Sequence, residues 1–453
     1  ADLHVSVKTS FSPDQICCAG KIKASIFKSH QHRMARLVKL NQDISLDTLY
    51  WKALTLHARA ALIHADHIVS AQQFSANAPK IKDGTHDLFA NTKIKTTANG
   101  VKKKLQDQPL SWHLEQVGER ASYIATKMAT DLNLTGLSEQ TVEYICQRAE
   151  HSRFQWQNTV ANTLQKLIVK HPNIPSLVLN IAGTGSGKTR MNLRAACTLR
   201  PEDPRIAIAL NLRSLTLQTG EALKNAMHLS DDELSVIIGD KVTQQLFNQR
   251  QQQHVDEDEN QPEPMFDAFG EENSLPSWLD PLFEKTVQGR KAIDHQAKTV
   301  LSSPLLVSTI DYLIAAGEPH RQGHHVKALL RIISSDLILD EIDGYEPTAL
   351  VAVLRLVQLA AMYGRHVICS SATLAATVAE SIYRAFESGI EMRQALYQAP
   401  QQFIVAIADN ALTPKAWLND AKHKQNFSEQ YQQHLNDLQA VLLEKAKKPY
   451  RLA

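Results

Sequence analysis

The sequence predicts an α/β protein: a parallel sheet with helices on both faces, preceded by a helical region. Two observations predict it. From about residue 175, short β-rich runs alternate with helical stretches, the pattern that βαβ units produce. Before residue 150, apolar residues instead recur every three or four positions, and Gly and Pro are scarce.

Taken in order, residues 1–150 read as helical, with LDTLYWKALTLHARAALIHADHIVSAQ keeping its apolar period for several turns. The strands are SLVLN, RIAIALN, LSVII, PLLVST, DLILDE and HVICSSAT. TRMNLRAACTL and EPTALVAVLRLVQLAAMY are helices between them. Residues 244–273 are Gln-rich and then acidic, with few β-branched residues. Such a segment buries too little apolar surface to order itself, so a mobile insertion is expected there. SEQYQQHLNDLQAVLLEKAKKPYRLA predicts one amphipathic helix with a basic tip, which makes 401–453 a helical linker.

A chain of 453 residues holds two or three domains, each large enough for its own core. Its net charge of +2 gives no global basic field, so any nucleic-acid surface must come from local clusters of Lys and Arg. Cys17, Cys18, Cys146, Cys197 and Cys369 show neither ligand spacing nor a paired framework, which fits a reducing, cytoplasmic setting. No run approaches the roughly 18 apolar residues of a membrane span, and no membrane partner is expected.

AGTGSGKT at 182–189 has phosphate-loop spacing, with Ala182 where Gly is usual. A strand precedes it and a helix follows, the context this motif requires. Backbone N–H groups must converge on phosphate oxygens, so Gly183, Gly185 and Gly187 are expected to adopt unusual φ values, with Thr184 and Ser186 between them. Lys188 is expected on the β- and γ-phosphates of ATP, and the Thr189 hydroxyl on Mg²⁺. LILDEID (337–343) is an apolar strand ending in Asp340 and Glu341. In phosphate-loop enzymes a strand-end Asp holds the Mg²⁺ and its neighbour orients water.

Asp-Glu-Ile-Asp at 340–343 resembles the DExD/H box of superfamily 2 helicases, and other motifs extend the likeness. Ser371-Ala372-Thr373 matches the segment that couples nucleotide state to nucleic-acid grip, and Asp343 of the box is nominated with Ser371 and Thr373 as a coupling residue. ALNLRSLTLQTG (209–220) and LLVSTIDYLI (305–314) match the track that holds a strand's phosphates, nominating Arg213, Thr216, Gln218 and Thr309. For the last three, a plain structural role stays open. RFQWQN (153–158) resembles the adenine-reading Q motif, with Gln157 or Gln155 as reader.

The wording of ALIHADHIVSA, LRSLTLQTG, SDLILDEIDGYEP and RHVICSSATL resembles one family: the CRISPR-associated helicase–nucleases of type I systems, in their type I-F-like branch. The resemblance covers most of residues 20–400. It implies an HD-type nuclease domain followed by RecA-like lobes, and a divalent transition metal at the HD site. His30, His32 and Asp66 are nominated as metal ligands, although Gln31 splits what is commonly a His-His doublet. The family's His-Asp doublet is missing before these segments, and His86-Asp87 follows a turn-like KDGT, so it reads as a solvated loop. The resemblance therefore implies a piece of a longer protein: residues 1–150 as the C-terminal half of an all-α HD-type domain, 151–400 as the first RecA-like lobe, and a linker. Its implied partners are single-stranded DNA, a guide-RNA surveillance complex and a fused or separate integration-linked domain. A restriction-type translocase subunit and a non-enzymatic nucleotide-binding lobe remain the alternatives.

Overall fold

Short runs with an unbroken apolar centre become central strands, because a strand covered on both faces has no position for water. The structure is a computed structural model. It describes residues 35, 48–72, 89–96, 102–211, 213–227, 229–230, 232–237, 275–287, 290–293, 295–317, 322–420 and 425–446. The expected insertion at 244–273 lies outside these residues. Contacts divide the chain into two units, Ala1–Trp51 with His57–Thr126, and Lys52–Leu56 with Lys127–Ala453.

Helix α1 (Thr48–Ala71) passes through the first unit, where Ala60, Ala61, Ala65, Ile68 and Val69 are buried. Strands β1 (Phe89–Thr96) and β2 (Lys102–Pro109) follow, then α2 (Leu110–Thr130). His57 Nε2 meets the Ala125 carbonyl at 2.9 Å. Burial pushes the fully buried His64 ring down to about 4, helped by His67 and Arg120, so it is neutral at physiological pH. The helical expectation for residues 1–150 needs one correction. β1 and β2 form an antiparallel hairpin that pairs Phe89 with Pro109 and Thr96 with Lys102. FANTKIKT places Thr92, Ile94 and Thr96 at alternate positions, and β-branched residues at a period of two favour a strand.

The second unit continues with α3 (Glu139–Cys146), α4 (Trp156–Lys170), β3 (Ser176–Asn180), α5 (Lys188–Leu199), β4 (Ile206–Leu210) and α6 (Arg213–Met227). Next come β5 (Leu234–Ile237), a small hairpin of β6 (Glu284–Val287) and β7 (Arg290–Ile293), and α7 (His295–Ser302). Strand β8 (Leu305–Thr309), α8 (Ile310–Ile314), α9 (Gln322–Ser334), β9 (Asp336–Asp340), α10 (Pro347–Met362), β10 (Val367–Ser370) and α11 (Ala376–Tyr397) lead to β11 (Phe403–Ala408), β12 (Lys415–Asn419) and α12 (Phe427–Ala446). Eight strands form one sheet in the order β12-β11-β3-β10-β9-β4-β8-β5, with only β12 antiparallel. Helices flank it, as the α/β prediction requires.

The expectation of a purely helical 401–453 is also corrected. FIVAIA is fully buried and pairs directly with β3, so residues 403–419 belong to the sheet. Register carries the fold's most useful consequence. Asn180, Ser370 and Asp340 are partners across β3, β10 and β9, so three polar residues end three adjacent strands at one level.

The amino ends of the strands are closed by buried arginines. Arg331 donates to the carbonyls of Val300, Ser303, Ile206 and Pro304, and Arg205 to those of Thr135, Leu301, Ser302 and Ser303. Arg200 grips the fully buried Asp336 with two bonds, Nε to Oδ2 at 2.8 Å and Nη2 to Oδ1 at 3.1 Å. Asp336 Oδ1 also accepts the His366 N–H at 2.9 Å. Burial pushes this carboxyl up, but His366, Arg200 and Arg365 outweigh it and hold it below the usual range. A depressed folded value stabilises the protein above the unfolded pKa and loses that effect as pH falls through the folded one. Arg200→Ala removes the ion-pair partner of a buried carboxylate, so it should cost about 3–5 kcal/mol at pH 7. Urea unfolding at pH 7 and in acid should show the deficit shrinking below about pH 4, where Asp336 protonates when unfolded.

Candidate nucleotide-binding site

Strand β3 ends at Asn180, and the chain turns through buried Ile181 and Ala182 into the glycine loop. Gly185 has φ of +71° and Gly187 +85°, a region that a Cβ disfavours. Both are also approached closely from residues 153–157. A Cβ on Gly187 would lie 2.7 Å from Gln157 Nε2 and 3.2 Å from the Phe154 ring, and one on Gly185 would lie 2.9 Å from Arg153 Nη2. Gly183 differs from the expectation. Its φ is not positive, and a Cβ there would meet only Asn410 Oδ1, at 3.7 Å.

Three anchors shape this loop. Trp156 Nε1 donates to the Ser186 carbonyl at 3.2 Å, and Gln157 Nε2 donates to that of Gly187 at 3.2 Å. The Gly183 N–H donates to Asn410 Oδ1 at 2.9 Å, and the Ser186 hydroxyl turns back to the Gly183 carbonyl at 2.6 Å. Asn410 is itself held in place. Its neighbour Asp409 accepts the N–H groups of Ala411 and Leu412 and pairs with His434 of α12 at 2.6 Å, with both side chains buried. Helix α5 starts at Lys188, so the N–H groups of its first turn have no partner within the helix and carry its positive end. Thr184 is exposed, and Lys188 and Thr189 are half-buried.

Strand β9 is buried throughout and ends at Asp340, 7% exposed. Glu341 follows at φ 54°, ψ 46°, a left-handed conformation that costs a non-glycine residue about 1–2 kcal/mol. Such strain is a marker of functional positions. Asp340 Oδ1 accepts two bonds, from the Glu341 N–H at 3.1 Å and from the Ser370 hydroxyl. Oδ2 accepts none from the described residues. Asp340 Oδ2 at one strand end and the Thr189 hydroxyl on the phosphate-loop helix are oxygen donors of the kind that Mg²⁺ takes. Only β10 lies between β3 and β9, which puts their ends roughly 10 Å apart.

The three residues read as coupling elements come together. The Thr373 hydroxyl donates to Asp343 Oδ2, and Ser371 Oγ accepts the Thr373 N–H at 3.0 Å. Burial pushes the Asp343 carboxyl up, but Thr373, Ser371, its own N–H and the Lys188 ammonium hold it below its ordinary value.

A buried chain of side chains, missed in the sequence, joins the loop to that box. The Ala182 N–H donates to Asn180 Oδ1 (3.3 Å), Asn180 Nδ2 to Asn192 Oδ1 (2.8 Å), Asn192 Nδ2 to Ser370 Oγ (2.8 Å), and Ser370 to Asp340. The only signal for Asn192 was an amide in a helix whose neighbours are otherwise mostly buried and apolar.

The other nominated residues divide. Gln218 is exposed on α6 and lines a cavity of about 410 Å³ together with Thr189. Thr216 and Thr309 are buried, so neither hydroxyl reaches the surface. The Arg213 side chain, His30, His32 and the His86-Asp87 doublet lie outside the described residues. Gln155, the other candidate adenine reader, donates to the Glu150 carbonyl at 3.2 Å. Asp66 is bound to His113 Nε2 at 3.0 Å, and His113 Nδ1 meets Gln108 Oε1 at 2.9 Å. Among the described residues no three His, Cys, Asp or Glu side chains converge as a metal site.

No family model matches the chain. It is similar to the CRISPR-associated nuclease/helicase Cas3 subtype I-F/YPEST of Pectobacterium atrosepticum, 33% identical over 366 residues, which cover 77% of this chain and 31% of that one. The protein of the same description from Pseudomonas aeruginosa is 35% identical over 257 residues, covering 56% of this chain and 23% of that one. The chain thus spans less than a third of the length of these curated relatives. Among solved structures, T. fusca Cas3 with ATP aligns at a TM-score of 0.39 and 19% identity, over 63% of this chain and 28% of that one. The relationship rests on the sequence relatives.

Gly187→Ala should weaken nucleotide binding by roughly tenfold or more, since the left-handed penalty alone is about 1–2 kcal/mol. Gly183→Ala should leave it nearly unchanged. Titration with a fluorescent nucleotide distinguishes the two, and equal losses would contradict the loop geometry.

Proposed function

We propose that this chain, a relative of the Cas3 subtype I-F nuclease/helicases, carries the nucleotide-binding lobe of an ATP-dependent single-stranded DNA translocase coupled to an HD nuclease. The observation that carries the reading is the phosphate loop and the acidic strand end held at one level by a continuous buried hydrogen-bond chain. In this reading residues 151–419 form the lobe. The Gly183–Thr189 backbone and Lys188 cradle the phosphates, Thr189 and Asp340 Oδ2 hold Mg²⁺, and Glu341 orients the attacking water. Gln157 lies beside the loop and reads adenine. Asp343, Ser371 and Thr373 pass nucleotide state to the strand-binding face, where Arg213 and Gln218 track DNA phosphates.

A groove that follows a backbone tolerates any sequence and weakens with salt. Sequence choice would then come from a guide-RNA surveillance complex, and the motor would feed the displaced strand to the nuclease. The nuclease needs a transition metal, for which His30, His32 and Asp66 are proposed; Asp66 would exchange its His113 contact for the metal. Phosphate-loop motors complete their site with an arginine supplied from elsewhere, worth 10³–10⁵ in rate, so slow turnover is proposed for the lobe alone.

Two variants test the assignment. Lys188→Ala should abolish binding of a fluorescent ATP analogue. Glu341→Gln should keep binding but lose ATP turnover, measured as phosphate release with single-stranded DNA present. Unchanged affinity in the lysine variant would refute the site. For a motor, nucleotide affinity must also change when single-stranded DNA is added, because coupling between two sites is reciprocal. Its absence would favour a nucleotide-binding lobe without motor function.

A further inference from the structure

We infer that Ser370 and Asn192 are positioning residues for metal binding: they clamp Asp340 Oδ1 and so present Oδ2 to a Mg²⁺ ion that arrives with nucleotide. The inference rests on the nucleotide-site reading above.

Direction is the first argument. From the Ala182 N–H through Asn180, Asn192 and Ser370, every donor points toward Asp340, and the last link is a hydroxyl-to-carboxylate bond. Bonds aligned in one sense polarise one another, and those ending on a charge are the strongest. The Glu341 N–H adds a second donor to the same oxygen. A carboxylate held twice at Oδ1 cannot rotate to exchange its oxygens without breaking both bonds.

Placement is the second argument. Asn180, Asn192 and Ser370 are 2%, 1% and 0% exposed, where apolar side chains would pack without needing partners. Asn192 follows Thr189 by three residues and Lys188 by four, so helix α5 carries all three on neighbouring rows of one face. The helix that supplies the metal hydroxyl also supplies the clamp. Outer-shell partners of this kind orient ligands, and losing one typically costs 10–100-fold in metal affinity.

The test uses the full 453-residue chain and a fluorescent ADP analogue, titrated with Mg²⁺ and, separately, in EDTA. Ser370→Ala should raise the Mg²⁺ concentration needed for tight binding by about tenfold. Affinity in EDTA should stay the same. Ser370→Cys, similar in size but a weak donor, should shift the same way, and it decides the matter if the alanine variant fails to melt cooperatively. A Mg²⁺ dependence equal to wild type overturns this inference alone. So does an equal loss with and without Mg²⁺, which packing by itself would cause. A wild-type chain that binds no nucleotide in either condition overturns the site reading, and this inference with it.

Discussion

Asn180, Ser370 and Asp340 close three neighbouring parallel strands at the same height, and Asn192 ties them together from the helix above. Everything assigned to the nucleotide site depends on that alignment. The sheet is apolar along its length, so hydrophobic burial alone would tolerate a slip that kept the strands covered. A slip by one residue would turn Asp340 to the other face of the sheet and leave buried amides unpaired. The polar ends therefore select the register that apolar packing leaves loosely specified.

The two ends of the sheet use charge differently. At the amino ends Arg205 and Arg331 are surrounded by main-chain carbonyls, and Arg200 neutralises Asp336. Their hydrogen bonds lie within the fold, so they serve cohesion. At the carboxyl ends Asp340 keeps one oxygen without a hydrogen-bond donor among the described residues, and Glu341 sits in a left-handed conformation. Open α/β sheets bind ligands at their carboxyl ends. Here the division is visible as charge enclosed within the fold at one end and acidic groups at the strand tips at the other.

Strands β3, β4, β8, β9 and β10 were legible because burial on both faces leaves an unbroken apolar run, and the loop and box were legible because their chemistry is contiguous. FIVAIA had the same character, yet it follows the last motif and was absorbed into a linker. The hairpin of β1 and β2 is rich in Lys, Thr, Asn and Gln, so its sequence resembles a loop. What sequence could not show was facing and distance. Thr216 and Thr309 have the right chemistry but point inward. Asn192 meets Ser370 across 178 residues, and Gly183 meets Asn410 across 227, separations over which no local pattern carries information.

The bond from Asn410 to Gly183 has a mechanical side. Asp409 is fastened to His434 on α12 with no water between them, so the turn bearing Asn410 has little freedom to move independently of that helix. The last helix and the first glycine of the loop are thus joined through two consecutive residues, Asp409 and Asn410.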